Sequence, residues 1–171
     1  MTETVHVYRK RVTHAIRKTG ETLQTVDFVV AKTPERKTTE AAAYDIEAFL
    51  PEGTLYLKPL TVTRVPTGLF VALPKGSSFK VCSRSGLAAK GVQVINAPGI
   101  IDSDYRDEIC VLLCYIAPPE MAPFRIEHGD RVAQLEFTPA PPALDFQQVN
   151  FREELPARET NRTGGFGSTG L

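Results

Sequence analysis

Three cysteines and three histidines are all that 171 residues offer to a soft metal. Cys82, Cys110 and Cys114 form no C-x-x-C pair, and His6, His14 and His128 are scattered, none at ligand spacing from a cysteine. This spacing argues against a zinc site. An odd set of cysteines in apolar stretches reads instead as small buried hydrophobes of an intracellular, reducing compartment, cytoplasm or nucleus. An excess of one charge is also missing, since 20 Lys and Arg balance 20 Asp and Glu. A nucleic-acid binder carries a basic surplus, so no nucleic acid is expected as a partner. No apolar run approaches membrane-spanning length and no secretory signal is predicted, so no membrane partner is expected either. The length suits one compact domain with a real core.

Helix signals are scarce as well. In their place stand 13 prolines and 12 glycines that cut the chain into short apolar runs. Strands are predicted at 23–30, 55–59, 68–73 and 79–82, between turns such as Pro51-Glu52-Gly53 and Pro74-Lys75-Gly76. Residues 92–95 and 108–116 are richer still in β-formers and predict a hairpin whose long loop contains Ala97-Pro98-Gly99. A further strand is predicted at 131–137, closed by the prolines at 139–142, and one short helix opens at Ser85. The expected fold is all-β, a barrel or double sheet.

The ends differ from the middle. Residues 1–20 carry Arg9-Lys10-Arg11 and Arg17-Lys18 without an obvious partner strand. They read as a solvated extension, or alternatively as a nuclear-targeting or docking segment. The main domain is expected over 21–155. A glycine-rich arm over 156–171 ends in Gly164-Gly165-Phe166-Gly167-Ser168-Thr169-Gly170.

Three clusters carry chemistry. Arg84-Ser85-Gly86-Leu87-Ala88 follows a strand and leads into the helix. It suits phosphate through free backbone N–H groups, a cation and a hydroxyl, or it is an ordinary turn that Ser85 caps. Asn96 to Arg106 gathers an amide, carboxylates and an aromatic on the hairpin. The amide can read a pyrimidine edge and a carboxylate can deprotonate water, or the group is a turn-stabilising Asx cluster. The glycines around Phe166 allow an arm to close over a planar base, with Ser168 and Thr169 at phosphate oxygens, or they mark disorder.

In order and spacing these clusters resemble the five motifs of trimeric dUTPases, from about Leu23 to the C-terminus. Ala43-Tyr44-Asp45-Ile46 is similar to the first, Arg84 to Ala88 to the second, and Gly99 to Arg106 to the third. Gly129-Asp130-Arg131-Val132-Ala133-Gln134-Leu135 is similar to the fourth and Gly164 to Gly170 to the fifth, with Val65-Pro66-Thr67-Gly68 between the first two. The resemblance implies a jelly-roll-type β-barrel (β-clip) with a flexible C-terminal arm, assembled as a homotrimer that hydrolyses dUTP to dUMP and pyrophosphate with Mg²⁺. It implies Asp102 as the base that activates water against the α-phosphorus. Asn96 would pair with uracil, helped by backbone around Gly99, Ile100, Ile101 and Cys110, and Tyr105 would sit against the deoxyribose. Arg84, Ser85 and Gly86 would hold phosphate oxygens, with Gln134 near the α-phosphate. Phe166 would stack on uracil, and Arg162, Gly167, Ser168 and Thr169 would bind the outer phosphates. Asp45 would serve the outer shell of the metal or the scaffold. One chain would supply the first, second and fourth motifs, a second the hairpin and a third the arm.

The sequence departs from that family at three places: Asp107 where glycine is usual, Arg162 one position late in the arm, and Ala43 where glycine often precedes the tyrosine. Asp107 puts the local backbone or an intersubunit contact in question. Two rival readings differ in class. A dCTP deaminase shares the fold but uses a glutamate in place of the Asp102–Tyr105 pair, and a binding module would keep the scaffold without turnover.

Overall fold

The computed structural model describes residues 4–13 and 28–139, with isolated positions 148, 149, 151, 154 and 156. Among the described residues, thirteen strands and one helical turn fall within the first of two compact units, Met1–Pro141; the second is Pro142–Leu171. Every strand pair is antiparallel. The fold is all-β with one short helix, as the turn-rich composition predicts. No helix among the described residues is long and apolar enough to cross a membrane.

The sheet that positions the site has four strands in the order β10 (Gly99–Asp102), β8 (Ser78–Cys82), β13 (Arg131–Thr138), β4 (Ala43–Glu47). Alternation along β8 sends Phe79 and Val81 into the core and leaves Ser78, Lys80 and Cys82 on the other face. The partner strands follow the same phase. Leu135 lies opposite both Val81 and Tyr44, and Ala133 opposite Ile46, all of them core or packed against it. A register shift between Arg131 and Ala133 breaks the alternation, so Val132 and Ala133 are both buried while Arg131 opposes Glu47. Without that bulge Arg131 would share the inward phase of Ala133 and Leu135. The extra residue turns it out to the face that carries Asp45 and Gln134.

A second sheet orders β6 (Val62–Pro66), β11 (Cys110–Tyr115) and β9 (Val92–Val94), and two-stranded pairs join β5 (Leu55–Leu57) to β12 (Phe124–Ile126) and β7 (Leu69–Ala72) to β1 (His6–Arg9). Thr67 and Gly68 connect β6 to the hairpin end. The buried Thr67 hydroxyl donates to the Ile109 carbonyl at 2.6 Å, and the Gly68 amide donates to the Glu108 carboxylate at 2.8 Å. Gly68 has φ +66°, and a Cβ there would lie 2.7 Å from that of Ala31 and 2.9 Å from the Phe49 ring. Both the dihedral and the packing demand glycine.

Three expectations change. Residues 6–13 do not lack a partner strand: β1 pairs with β7, and β2 (Arg11–Thr13) pairs with β3 (Phe28–Val30). Val5, Val7 and Val12 pack on the core, and the basic run Arg9-Lys10-Arg11 between the last two obscures this in the sequence. The predicted long loop after residue 95 is half strand. β9 and β11 do pair, yet Gly99–Asp102 leaves them to become an edge strand beside β8. Among the cysteines, all free, only Cys114 is buried, and Cys82 and Cys110 are half-buried. The predicted residues 23–27 lie outside the described ones.

Candidate active site

Asp45, Gln134 and Cys82 form one row across β4, β13 and β8, because each is paired directly with the next. The row faces outward, and Arg84 follows Cys82 by two residues. The Arg84 Nε donates to Asp45 Oδ1 at 2.9 Å and its Nη1 to the Arg131 carbonyl at 3.0 Å. Arg131, turned outward by the bulge, donates to Asp45 Oδ2 at 3.0 Å. One carboxylate therefore fixes two guanidiniums through charge-assisted bonds, the half-buried Arg84 one contributing about 1.5–3 kcal/mol and the exposed Arg131 one less. The Gln134 Nε2 donates to the Ser83 carbonyl at 3.0 Å, and the Ser83 hydroxyl accepts from the Val94 amide at 2.9 Å, locking the turn before the helix. Asp45, Arg84, Arg131 and Gln134 line a depression of about 500 Å³ together with Lys37, Ala41 to Ala43, Cys82 and Glu136. Burial pushes the Cys82 thiol pKa up, and Glu136 adds to that, so the thiol stays neutral here.

The helical turn α1 spans Ser85–Ala88, but its N-cap is Arg84 and no side-chain cap bond forms. Ser85 is thus not the cap that the sequence allowed. Ser85 and Gly86 are exposed. A Cβ at Gly86 would meet nothing within 4 Å, so nothing in the described chain requires glycine there.

The hairpin cluster lies elsewhere on the same sheet face. Asp102 ends β10 opposite Ser78, at the far end of β8 from Cys82 and Arg84. It is exposed, and among the described residues its carboxylate accepts no hydrogen bond and forms no ion pair. A tight turn follows: the Tyr105 amide donates to the Asp102 carbonyl at 3.1 Å, and Arg106 Nη1 donates to the carbonyls of Ser103 and Tyr105, each at 2.8 Å. The Ser103 hydroxyl accepts from the Gly76 amide at 3.1 Å and ties the turn to the start of β8. The Tyr105 hydroxyl donates to the Glu108 carbonyl at 3.0 Å. Burial raises the pKa of that hydroxyl and the Asp107 carboxylate adds to the effect, which keeps it a protonated donor. Leu60 is the only non-glycine residue with positive φ among the described ones, so Asp107 needs no glycine conformation. The backbone doubt raised by that departure disappears.

Asn96 is exposed, and its amide lies against buried Gly99, where a Cβ would sit 2.9 Å from Nδ2. Ile100 is exposed and Ile101 packs on the core. Cys110 opposes Pro66. Burial raises its thiol pKa, while Arg64 on β6 pulls the other way. Sequence reasoning gave no role to Lys37 or Arg131, both of which line the depression. Only Arg131 had a visible signal, three positions before Gln134 in the fourth cluster. Arg162, Phe166, Gly167, Ser168 and Thr169 lie outside the described residues.

Along β8 the offset from Cys82 to Ser78 is roughly 13 Å, and from the β4 edge to the β10 edge roughly 14 Å, at ~3.3 Å per residue and ~4.8 Å per strand. The guanidinium cluster and Asp102 thus occupy opposite corners of one sheet face.

The family model for dUTPase matches residues 30–170. The chain is 44% identical over 135 residues to the deoxyuridine 5'-triphosphate nucleotidohydrolase of Wolbachia pipientis subsp. Culex pipiens, covering 78% of this chain and 83% of the relative. It is 43% identical over 142 residues to the enzyme of the same name from Caulobacter vibrioides, covering 81% and 85%. Among solved structures, a variant of the Staphylococcus bacteriophage 80alpha dUTPase with dUpNHpp shares the fold at a TM-score of 0.68 and 24% identity, over 82% of this chain and 93% of that one. A variant of the dUTPase of phage phi11 of S. aureus that coordinates a structural Mg(II) ion aligns at a TM-score of 0.61 and 24% identity, over 72% of this chain and 92% of that one.

Proposed function

This chain belongs to the dUTPase family, and on that premise we propose that it is a Mg²⁺-dependent dUTP diphosphatase whose active sites are shared between the subunits of a homotrimer. The observation that carries this reading is the contrast between two acids. Both oxygens of Asp45 are held by arginines, whereas Asp102 is exposed with no partner among the described residues. The first suits a scaffold, and the second suits a base that must accept a proton from water.

In the proposed reaction, Asp102 takes one proton as the water oxygen bonds to the α-phosphorus. The bond from that phosphorus to the α–β bridging oxygen breaks, giving dUMP and pyrophosphate. Arg84, Ser85 and Gly86 hold phosphate oxygens, and the second N–H of the Gln134 amide, with no partner among the described residues, is left for the α-phosphate. Among the described residues no three His, Cys, Asp or Glu side chains gather to hold a metal ion. That donor set fits a magnesium carried mainly by the triphosphate and its own waters, with Asp45 no nearer than the outer shell. Bound in this way, Mg²⁺ neutralises charge on the triphosphate.

Uracil is read by Asn96 and by the backbone of β10, whose outer edge has no neighbouring strand among the described residues. Tyr105, fixed through Glu108, packs against the deoxyribose and refuses a 2′-hydroxyl. The arm over 156–171, with Arg162, Phe166, Gly167, Ser168 and Thr169, closes over base and phosphates. The separation along β8 supports composite sites, because an α-phosphate beside Gln134 is far beyond the reach of Asp102 in the same chain. Removal of dUTP would limit uracil incorporation into DNA and supply dUMP for dTMP synthesis. Three unpaired cysteines fit a reducing, intracellular setting.

Purified chain with Mg²⁺ tests the reading directly. Pyrophosphate should appear from dUTP, and kcat/KM for UTP and dCTP should be at least ~10²-fold lower than for dUTP. No ammonia should form from dCTP. Ammonia release would move the chain to the deaminases, and binding of dUTP without turnover would make it a binding module.

A further inference from the structure

We propose that Lys37 is a phosphate-binding residue of this site, its ammonium leaving Glu35 to pair with the triphosphate of bound dUTP. The inference rests on the dUTP reading above and adds a residue that no motif contains. Lys37 precedes β4, on a segment pinned to that strand. Asp45 donates its amide to the Glu35 carbonyl at 2.9 Å, and Glu35 donates back to the Asp45 carbonyl at 3.4 Å. Two residues beyond that bridge, Lys37 reaches the rim of the depression that Asp45, Arg84, Arg131 and Gln134 line. Around it the segment is held by Arg36, whose guanidinium lies 5.6 Å from the Tyr44 ring centroid and bonds the Ala41 carbonyl at 3.5 Å. Lys37 is therefore presented to the depression by a fixed backbone.

The charges facing the depression explain what it would do there. Asp45 is already shared between Arg84 and Arg131. Glu136, the other carboxylate in the lining, pairs with Lys80 at 3.8 Å. Three cations thus meet two engaged carboxylates. Lys37 is the one cation of the three not tied to Asp45, and its ion pair is with Glu35 at 3.4 Å. Glu35 has a second partner, Lys32 at 3.6 Å, so the departure of Lys37 leaves no carboxylate stranded. Exposed pairs of this kind exchange readily, and a polyanion in the depression offers a lysine more charge than one shared carboxylate does. Lysine suits this task because its ammonium acts as a point charge on a flexible stem and makes no demand for planar geometry.

Steady-state kinetics on the full chain with dUTP and Mg²⁺ tests the proposal. Lys37→Gln should raise KM roughly tenfold with kcat within about twofold, because the interaction is present in ground state and transition state alike. Inhibition by pyrophosphate should weaken by a similar factor while inhibition by deoxyuridine stays unchanged. Lys37→Arg should recover most of the affinity. Lys32→Gln, which removes the other partner of Glu35 from outside the depression, should leave KM at the wild-type value. The proposal is overturned if Lys37→Gln keeps wild-type KM and pyrophosphate inhibition while Arg84→Ala loses both. An equal KM rise in Lys32→Gln would also overturn it, since the effect would then belong to the Glu35 cluster. Wild-type kinetics in Arg84→Ala as well would remove the phosphate site itself, and Lys37 with it.

Discussion

Asp102→Asn should lower dUTP turnover by roughly 10²- to 10⁴-fold, the usual contribution of a positioned general base. The substitution keeps the shape of the side chain and its capacity to accept a hydrogen bond, and removes only the ability to hold a proton. Its structural cost should be small. Asp102 is exposed at the end of an edge strand and has no side-chain partner among the described residues, so thermal unfolding should be unchanged within error. Affinity for a non-hydrolysable dUTP analogue should likewise stay within about threefold, since the loss falls on the transition state alone. Asp104→Asn, two residues along the same turn, should leave turnover near wild type. Near-normal turnover in Asp102→Asn, measured as pyrophosphate release, would place the base elsewhere.

The second large effect comes from mixing two inactive proteins. Arg84→Ala lacks the guanidinium that Asp45 positions, and Asp102→Asn lacks the base, so each homotrimer should turn over dUTP very slowly. If a site takes Asp102 from one subunit and Arg84 from another, mixed trimers contain sites that are intact in both. Random exchange at equal amounts makes one site in four intact, so activity should return to about a quarter of wild type. The sheet geometry motivates this expectation: Asp102 sits by Ser78 at one end of β8, while Arg84 lies past Cys82 at the other. Mixing after subunit exchange, followed by a dUTP assay, gives the answer. Activity no greater than the sum of the separate proteins would mean that one chain builds its own site by a rearrangement the present fold does not contain.

The candidate site residues stand in clusters that the sequence displays, whereas the elements that carry them are less legible. Asp45, Arg84, Asp102, Tyr105 and Gln134 all sit in clusters whose composition announces chemistry. The structure joins the first two directly and sets Gln134 in the same row as Asp45. What stayed hidden depends on pairing. Arg131 faces outward only because of a bulge, and a bulge follows from how two strands align, which local composition does not encode. Gly99–Asp102 reads as loop because proline and glycine precede it, yet its edge position beside β8 makes it a strand. Lys37 looks like one basic residue in a charged run until the Glu35–Asp45 bridge brings it to the depression. The N-terminal strand was obscured in the opposite way, by the basic run Arg9-Lys10-Arg11 that directly follows the inward Val5 and Val7. Thr67 and Gly68 were noticed as a motif, but their work in supporting the hairpin through Ile109 and Glu108 appears only in the bonds.

In the proposed reaction, water activated by Asp102 attacks the α-phosphorus of dUTP. Hydrolysis in ¹⁸O-enriched water, with mass spectrometry of both products, tests it most directly. One labelled oxygen per turnover should appear in dUMP, and the pyrophosphate should carry none. Label found in pyrophosphate, with dUMP unlabelled, would contradict the account, because the attack would then fall on the β-phosphorus, where neither Asp102 nor Gln134 has been placed.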